Sequence, residues 1–249
     1  VSSGLSSHNG LLAHYMIQSG FTGESDGLKT VFGSVVSESF STEAMVEDLG
    51  ERYEIGRNYF KQYACCRYNH SALDAINELM TQIPGGSLMP DDIKEIGVDT
   101  YSLAAQLCGQ EPGNTLAAKF SIPFAVAARI ITGNAGVSSF APQAVDDEAI
   151  RSLAKKVTVS EDPSLTAMMP DRRPSRVKLA LVNGESFQAE AFINKGDAED
   201  PYSTEEIREN FFGLLDPLYG DEEAEKLHKE LMRLDEVDNF NSVTDLISG

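Results

Sequence analysis

The run from Lys61 to His70 holds the densest group of side chains that could carry chemistry. It reads KQYACCRYNH and contains two cations, Lys61 and Arg67, together with the imidazole of His70. A guanidinium can bind a carboxylate through two parallel hydrogen bonds, a desolvated lysine can exchange a proton, and a histidine titrates near neutral pH. The sequence therefore predicts an anion site here, and polycarboxylates fit its chemistry.

A helix start follows this run directly and is expected to position it. Ser71 and Asp74 have the spacing of a capping box, and an apolar stripe with helical spacing continues to Ile83. The N-terminus of a helix adds free amide donors and a partial positive charge. We therefore expect the two cations and the imidazole to converge on one cleft near this helix start.

The remaining patterns predict an α+β fold. Ser121 and Pro123 are typical of the N-cap and first turn of a helix, and residues 176–182 and 186–192 read as two strands joined at an Asn-Gly turn. Helices come first and last along the chain, with a mixed stretch between them. This order indicates an α+β insertion carried by a helical body.

The composition disfavours several classes of partner. The 249 residues include 39 acidic and 20 basic side chains, which gives a net charge of −19. Such a chain repels phosphate, so we expect neither nucleic acid nor an anionic membrane surface as a partner. No apolar run approaches the length of a membrane span.

The cysteines and histidines predict a protein without a zinc or iron–sulfur site. Three cysteines cannot all pair and two of them are adjacent, so a reducing, cytoplasmic compartment is expected. The four histidines are scattered, and the cysteine spacing does not fit an iron–sulfur site. Any activity is therefore expected to need neither zinc nor an iron–sulfur cluster.

The segment FKQYACCRYNHSALDAI resembles the signature of the MmgE/PrpD family, which includes 2-methylcitrate dehydratase and cis-aconitate decarboxylase. The likeness continues, in the family's order, through HNGLLAHYMIQSGFTG, AAKFSIPFAVAARIITG and RVKLALVNGESF. It implies an all-helical domain plus a smaller α+β lid, often in a dimer, with a cofactor-free site in the cleft between them. It also implies reactions on di- and tricarboxylic acids.

The resemblance implies a domain layout. Residues 1–57 match a segment of the helical domain, residues 58–197 the α+β lid, and residues 198–249 the return to the helical domain. Family members are roughly twice as long, and the part without a counterpart here is N-terminal. We therefore expect a homodimer or a partner chain that supplies the N-terminal half.

Individual roles follow from the same resemblance. Lys61 matches the lid lysine that reaches the substrate, His70 matches the histidine of the same run, and Arg67 would hold a carboxylate. The first two are the expected catalytic residues. Further expected substrate contacts are Cys66, Lys119 and Ser2.

The predicted function is a 2-methylcitrate dehydratase-like hydro-lyase that acts on a tricarboxylic acid by metal-free acid/base β-elimination. The arginine after the two cysteines favours this reaction slightly. Decarboxylation of cis-aconitate and epimerisation are alternatives within the family. A further alternative is a non-catalytic half-length homologue or subunit that binds a carboxylate or a partner chain. Phe124 stands where many members have a tyrosine, so a phenol donor is missing at that point.

Overall fold

The computed structural model describes residues 2–83, 85, 88–215 and 218–247, with side chains from Gly4 onward. Backbone contacts divide the chain into two compact units, Val1–Glu54 and Ile55–Gly249. The expected site residues fall in the second unit, except Ser2, whose side chain lies outside the described part of the chain.

The first unit consists of helices without a buried core. It contains α1 (Ser2–Gln18), a π-helical turn (Lys29–Val35) and α2 (Thr42–Val46), whose N-cap Ser41 accepts a hydrogen bond from the Ala44 amide at 3.2 Å. None of its described side chains is buried.

A four-stranded mixed sheet forms the centre of the second unit. Its strands are β1 (Ile93–Thr100), β2 (Val157–Glu161), β3 (Ser175–Leu181) and β4 (Ser186–Ala191). The strand order is β2-β1-β3-β4, with β1 parallel to β2 and the other two pairs antiparallel. The predicted hairpin between β3 and β4 is confirmed, and its turn contains Gly184 at a φ of 92°, which favours glycine.

Two helices build most of the core around this sheet. Helix α3 (His70–Gln82) packs on β3 and β4, and α6 (Ile122–Thr132) packs on α3 and β2. Helix α6 begins as predicted, because the Ser121 hydroxyl accepts a hydrogen bond from the Phe124 amide at 3.0 Å. Phe124 itself is fully buried and its ring lies 6.0 Å from that of Phe140, so this position belongs to the core.

The predicted capping box at Ser71 and Asp74 is wrong. Helix α3 starts at His70 with Asn69 as the N-cap, and no side chain caps it. The Ser71 hydroxyl instead lies 2.7 Å from that of Ser175 on β3. Burial explains the difference, since a serine facing the sheet finds its partner there rather than on its own helix.

Further helices complete the unit: α4 (Ser102–Ala105), α5 (Thr115–Lys119), α7 (Pro142–Val145), α8 (Glu148–Ala154), α9 (Pro163–Thr166), α10 (Thr204–Leu215), α11 (Asp221–Leu231) and α12 (Asn241–Ile247). Together with the sheet they confirm the predicted α+β class. Within the described ranges, no helix has the length and apolar character needed to cross a membrane.

Candidate functional site

Hydrogen bonds fix the Lys61–His70 run between two distant segments. At one end, the Phe60 amide donates to the Gly196 carbonyl at 3.0 Å; further on, the Cys66 amide donates to the Lys119 carbonyl at 2.9 Å. Gly196 has a φ of 92°, and a Cβ there would come within 2.5 Å of the Phe60 carbonyl oxygen. Only glycine therefore allows this close approach.

Lys61 and Lys119 line one cleft of about 610 Å³, which we call the lysine cleft. Tyr63 and Cys65 also line it, as do residues of α10, including Glu206, Glu209 and Asn210. Lys61 is exposed and Lys119 is half-buried. The cleft thus offers two flexible cations for carboxylates, whereas the desolvation expected of an acid–base lysine is absent at Lys61.

The thiol of Cys65 lies close to both lysines. Burial raises the pKa of Cys65 to about 12, while the charges of Lys61 and Lys119 act in the opposite direction. A thiol that stays protonated is a poor nucleophile. Cys65 therefore fits a packing role, and Cys66 beside it is half-buried.

His70 is held as a neutral imidazole. It is 1% exposed, and its ring meets that of Tyr63 edge-on at 5.0 Å. Burial, followed by the charges of Arg67 and Lys61, lowers the pKa of His70 to about 3, against an opposing hydrogen bond with the Cys65 backbone. Its Nε2 has no partner among the described residues. A neutral ring with one engaged nitrogen can keep a lone pair on the other, which suits a proton acceptor.

Arg67 faces a different pocket. Its side chain is 9% exposed, forms an ion pair with Asp197 and stacks over the Tyr59 ring at 4.1 Å. It lines a cavity of about 280 Å³ together with three further arginines, which we call the arginine pocket: Arg57, Arg67, Arg172 and Arg173. Lys61 and Arg67 therefore do not share one cleft, so the expected convergence of both cations with His70 is wrong. His70 lies near both side chains but is buried.

A buried polar network behind the run was not predicted from the sequence. The Tyr63 hydroxyl donates to Oδ1 of Asp74 at 2.7 Å and accepts from Nδ2 of Asn77 at 2.7 Å. Oδ1 of Asn77 accepts from Nε of Arg129 at 2.6 Å. The other oxygen of Asp74 accepts from Asn194 at 3.1 Å. Burial raises the pKa values of both Tyr63 and Asp74.

Unpartnered buried polar atoms concentrate in this region. Among the described side chains they are Arg67 Nε, Arg67 Nη1, Asn69 Oδ1, His70 Nε2 and the Tyr101 hydroxyl. Buried polar groups are normally hydrogen-bonded, and exceptions mark sites for water, ions or ligands. No three acidic, histidine or cysteine side chains within the described ranges are grouped to hold a metal ion.

Comparison with known proteins identifies the family. The model of the MmgE/PrpD C-terminal domain matches residues 63–236, which is more than half of the chain. The chain belongs to the MmgE/PrpD family. The resemblance seen in the sequence is confirmed, and the matched MmgE/PrpD segment holds most of the site residues described above.

Curated relatives extend this comparison. The chain is 21% identical over 262 residues to cis-aconitate decarboxylase-like protein oryM from Aspergillus oryzae, covering 97% of this chain and 53% of that protein. It is 20% identical over 267 residues to cis-aconitate decarboxylase from Aspergillus terreus, covering 100% and 54%. The chain thus spans about half the length of the curated relatives it matches.

Proposed function

We propose that this chain provides the lid part of a lyase that acts on a tricarboxylic acid. One observation carries the proposal: two lysines line a cleft whose wall residue Tyr63 packs at 5.0 Å against the buried, neutral His70, and Nε2 of His70 has no partner among the described residues. Family membership supports it, since one named relative is a cis-aconitate decarboxylase and the other is a cis-aconitate decarboxylase-like protein.

In the leading version the reaction is β-elimination of water, as in a 2-methylcitrate dehydratase. Lys61 and Lys119 hold carboxylates, and Nε2 of His70 accepts the proton next to one of them. The electron pair of that C–H bond forms the double bond, and the hydroxyl leaves as water with a proton from a general acid. The family resemblance assigns that proton to Lys61, although Lys61 is exposed in this structure and Lys119 is the more buried of the two lysines. His70 begins unprotonated, as a base must, but a pKa of about 3 makes it a weak base, so this version also requires substrate carboxylates to raise that pKa.

The second candidate is decarboxylation of cis-aconitate. There the bond to one carboxylate breaks, carbon dioxide leaves, and the electron pair left on carbon takes up a proton. The names of both relatives favour this candidate. It requires a proton donor at the carbon, and a histidine with a lowered pKa serves that role only after substrate carboxylates raise its pKa again.

The missing half of the relatives' length matters for either version. General acid–base groups each contribute about 10²–10⁴-fold to rate. Our proposal is that further groups come from a polypeptide equivalent to the N-terminal half, in the same chain, a partner chain or a dimer mate. If no such polypeptide restores turnover, the non-catalytic, carboxylate-binding alternative gains support.

A substrate panel tests the proposal. The chain is incubated with 2-methylcitrate and with cis-aconitate, alone and with a polypeptide that supplies the N-terminal half, and products are followed by mass spectrometry. Loss of water from 2-methylcitrate supports the hydro-lyase, and loss of carbon dioxide from cis-aconitate supports the decarboxylase. The absence of both in every combination would contradict a lyase.

A further inference from the structure

The arginine pocket is a concentration of positive charge in a strongly acidic chain. Four arginines and three acidic residues line it, while the chain as a whole has a net charge of −19. Arg67 is paired with Asp197 and Arg172 with Glu199. Arg173 is half-buried and has no ion-pair partner among the described residues. With Asp171 counted, the lining has one more guanidinium than carboxylates.

The pocket also has donors without acceptors. Arg67 is more than nine-tenths buried, yet its Nε and Nη1 have no hydrogen-bond partner in the described chain. Leaving such donors unsatisfied is costly, particularly on a charged group. The bond to Asp197 engages only Nη2, so the remaining N–H groups of this side chain are available to an acceptor.

A second buried donor lies next to the run that contains Arg67, although it does not line the pocket. Tyr101 is fully buried, and its hydroxyl has no partner in the described residues. Its ring meets that of Tyr68, the neighbour of Arg67, edge-on at 5.7 Å. The unpartnered groups at this place are thus N–H and O–H donors.

We propose that the arginine pocket binds a small multivalent oxyanion and is separate from the lysine cleft. Its volume of about 280 Å³ is slightly below the roughly 300 Å³ at which pockets for drug-sized ligands begin, which restricts it to a small ligand. Di- and tricarboxylates and inorganic phosphate share the required chemistry, which is several acceptor oxygens and more than one negative charge. Arg67 keeps the carboxylate-binding role that the sequence predicts, but the cations around it are arginines of this pocket and not Lys61.

This inference does not depend on the lyase proposal, because it concerns binding and rests on other side chains. Ordered water could satisfy single donors, but water carries no charge to match Arg173. Charge dependence therefore separates the two explanations, and the test uses paired variants that change charge in and outside the pocket.

The experiment measures citrate and inorganic phosphate binding by isothermal titration calorimetry. The background is the Lys61→Gln, Lys119→Gln double variant, which removes the cations of the lysine cleft. Arg173→Gln is introduced into this background as the pocket variant. Arg151→Gln is introduced as the matched control, since Arg151 is an exposed arginine of α8 outside the pocket. Arg172→Gln is a second pocket variant, should Arg173→Gln lose its circular dichroism spectrum.

We expect the background protein to bind one anion, and each pocket variant to weaken that binding about tenfold or more. Arg151→Gln should leave it unchanged within about twofold. Tighter citrate binding identifies carboxylates as the ligand class, and tighter phosphate binding identifies phosphate. Absence of binding at millimolar anion, or equal effects of pocket and control variants, would overturn the proposal.

Discussion

The backbone amide of Cys66 donates a hydrogen bond to the carbonyl of Lys119 at 2.9 Å. Nδ2 of Asn69 donates to the same carbonyl at 3.0 Å. These two bonds join the cysteine-containing run to the end of α5, fifty residues further along the chain. They explain why Lys61 and Lys119 line a common cleft although no local sequence pattern connects them.

The Tyr63→Phe variant should be less stable than the wild type by about 1–3 kcal/mol. The change removes one hydroxyl that donates to Asp74 and accepts from Asn77, and both partners stay buried or half-buried without it. Urea unfolding followed by circular dichroism measures the loss.

Tyr53→Phe is the matched control, because Tyr53 is 68% exposed and its variant should differ from the wild type by less than about 0.5 kcal/mol. If Tyr63→Phe proves equally harmless, the network around Asp74 does not support the site.

The stability of the chain should fall with acid because of His70. Its pKa is about 3 in the folded state, against an ordinary value of 6.5. Between these two pH values the histidine is protonated in the unfolded state and neutral in the folded state. The contribution of neutral His70 to the free energy of unfolding is complete above pH 6.5. It is lost as the pH falls from there toward 3, by up to about 1.4 kcal/mol per pH unit.

Comparison with His70→Gln isolates this contribution, since other groups such as Asp74 titrate in both proteins. The difference in unfolding free energy between the two should shrink steadily from pH 6.5 to 4. His8→Gln, a variant of an exposed histidine, should keep the wild-type slope. Parallel pH curves for the wild type and His70→Gln would show that His70 is not buried as a neutral ring.

Cysteine labelling should separate Cys65 from Cys108. Burial raises the pKa of Cys65 to about 12, whereas Cys108 is exposed. Because only the thiolate reacts, iodoacetamide at pH 8 should modify Cys108 at least about 10²-fold faster. Peptide mass spectrometry follows both sites, and urea-unfolded protein, in which the two rates should converge, is the control. Equal rates in the folded chain would contradict the buried thiol.

Turnover, once obtained, should survive a chelator. The sequence expectation of cofactor-free chemistry predicts unchanged rates after EDTA treatment and dialysis, because the proposed mechanism moves protons through side chains alone. Rates with and without EDTA on one preparation provide the measurement. A loss of activity that added metal restores would overturn this expectation.

Features set by neighbouring residues could be predicted from the sequence. The Ser121 cap, the Asn183-Gly184 hairpin and the α+β class all depend on local spacing, and the structure confirms each of them. The start of α10 also has a local cap, because Ser203 and Glu206 exchange capping hydrogen bonds.

The partners of the site residues could not be predicted in this way. Arg67 pairs with Asp197, which lies 130 positions away, and Asp74 bonds Asn194 across 120 positions. The spacing of Asp74 from Ser71 favours a helix cap. In the structure the Asp74 carboxylate instead accepts hydrogen bonds from Tyr63 and Asn194. Which cleft Arg67 would line depended on the same distant contacts.

The most direct test of the central claim compares the wild type with His70→Gln in turnover of 2-methylcitrate and cis-aconitate. Both proteins are assayed with the polypeptide that supplies the N-terminal half, and His8→Gln serves as the control with intact chemistry. We predict that His70→Gln loses about 10²–10⁴-fold in rate while its circular dichroism spectrum is preserved. A His70→Gln rate within about threefold of the wild type would contradict the account, as would the absence of turnover of both substrates by the wild type.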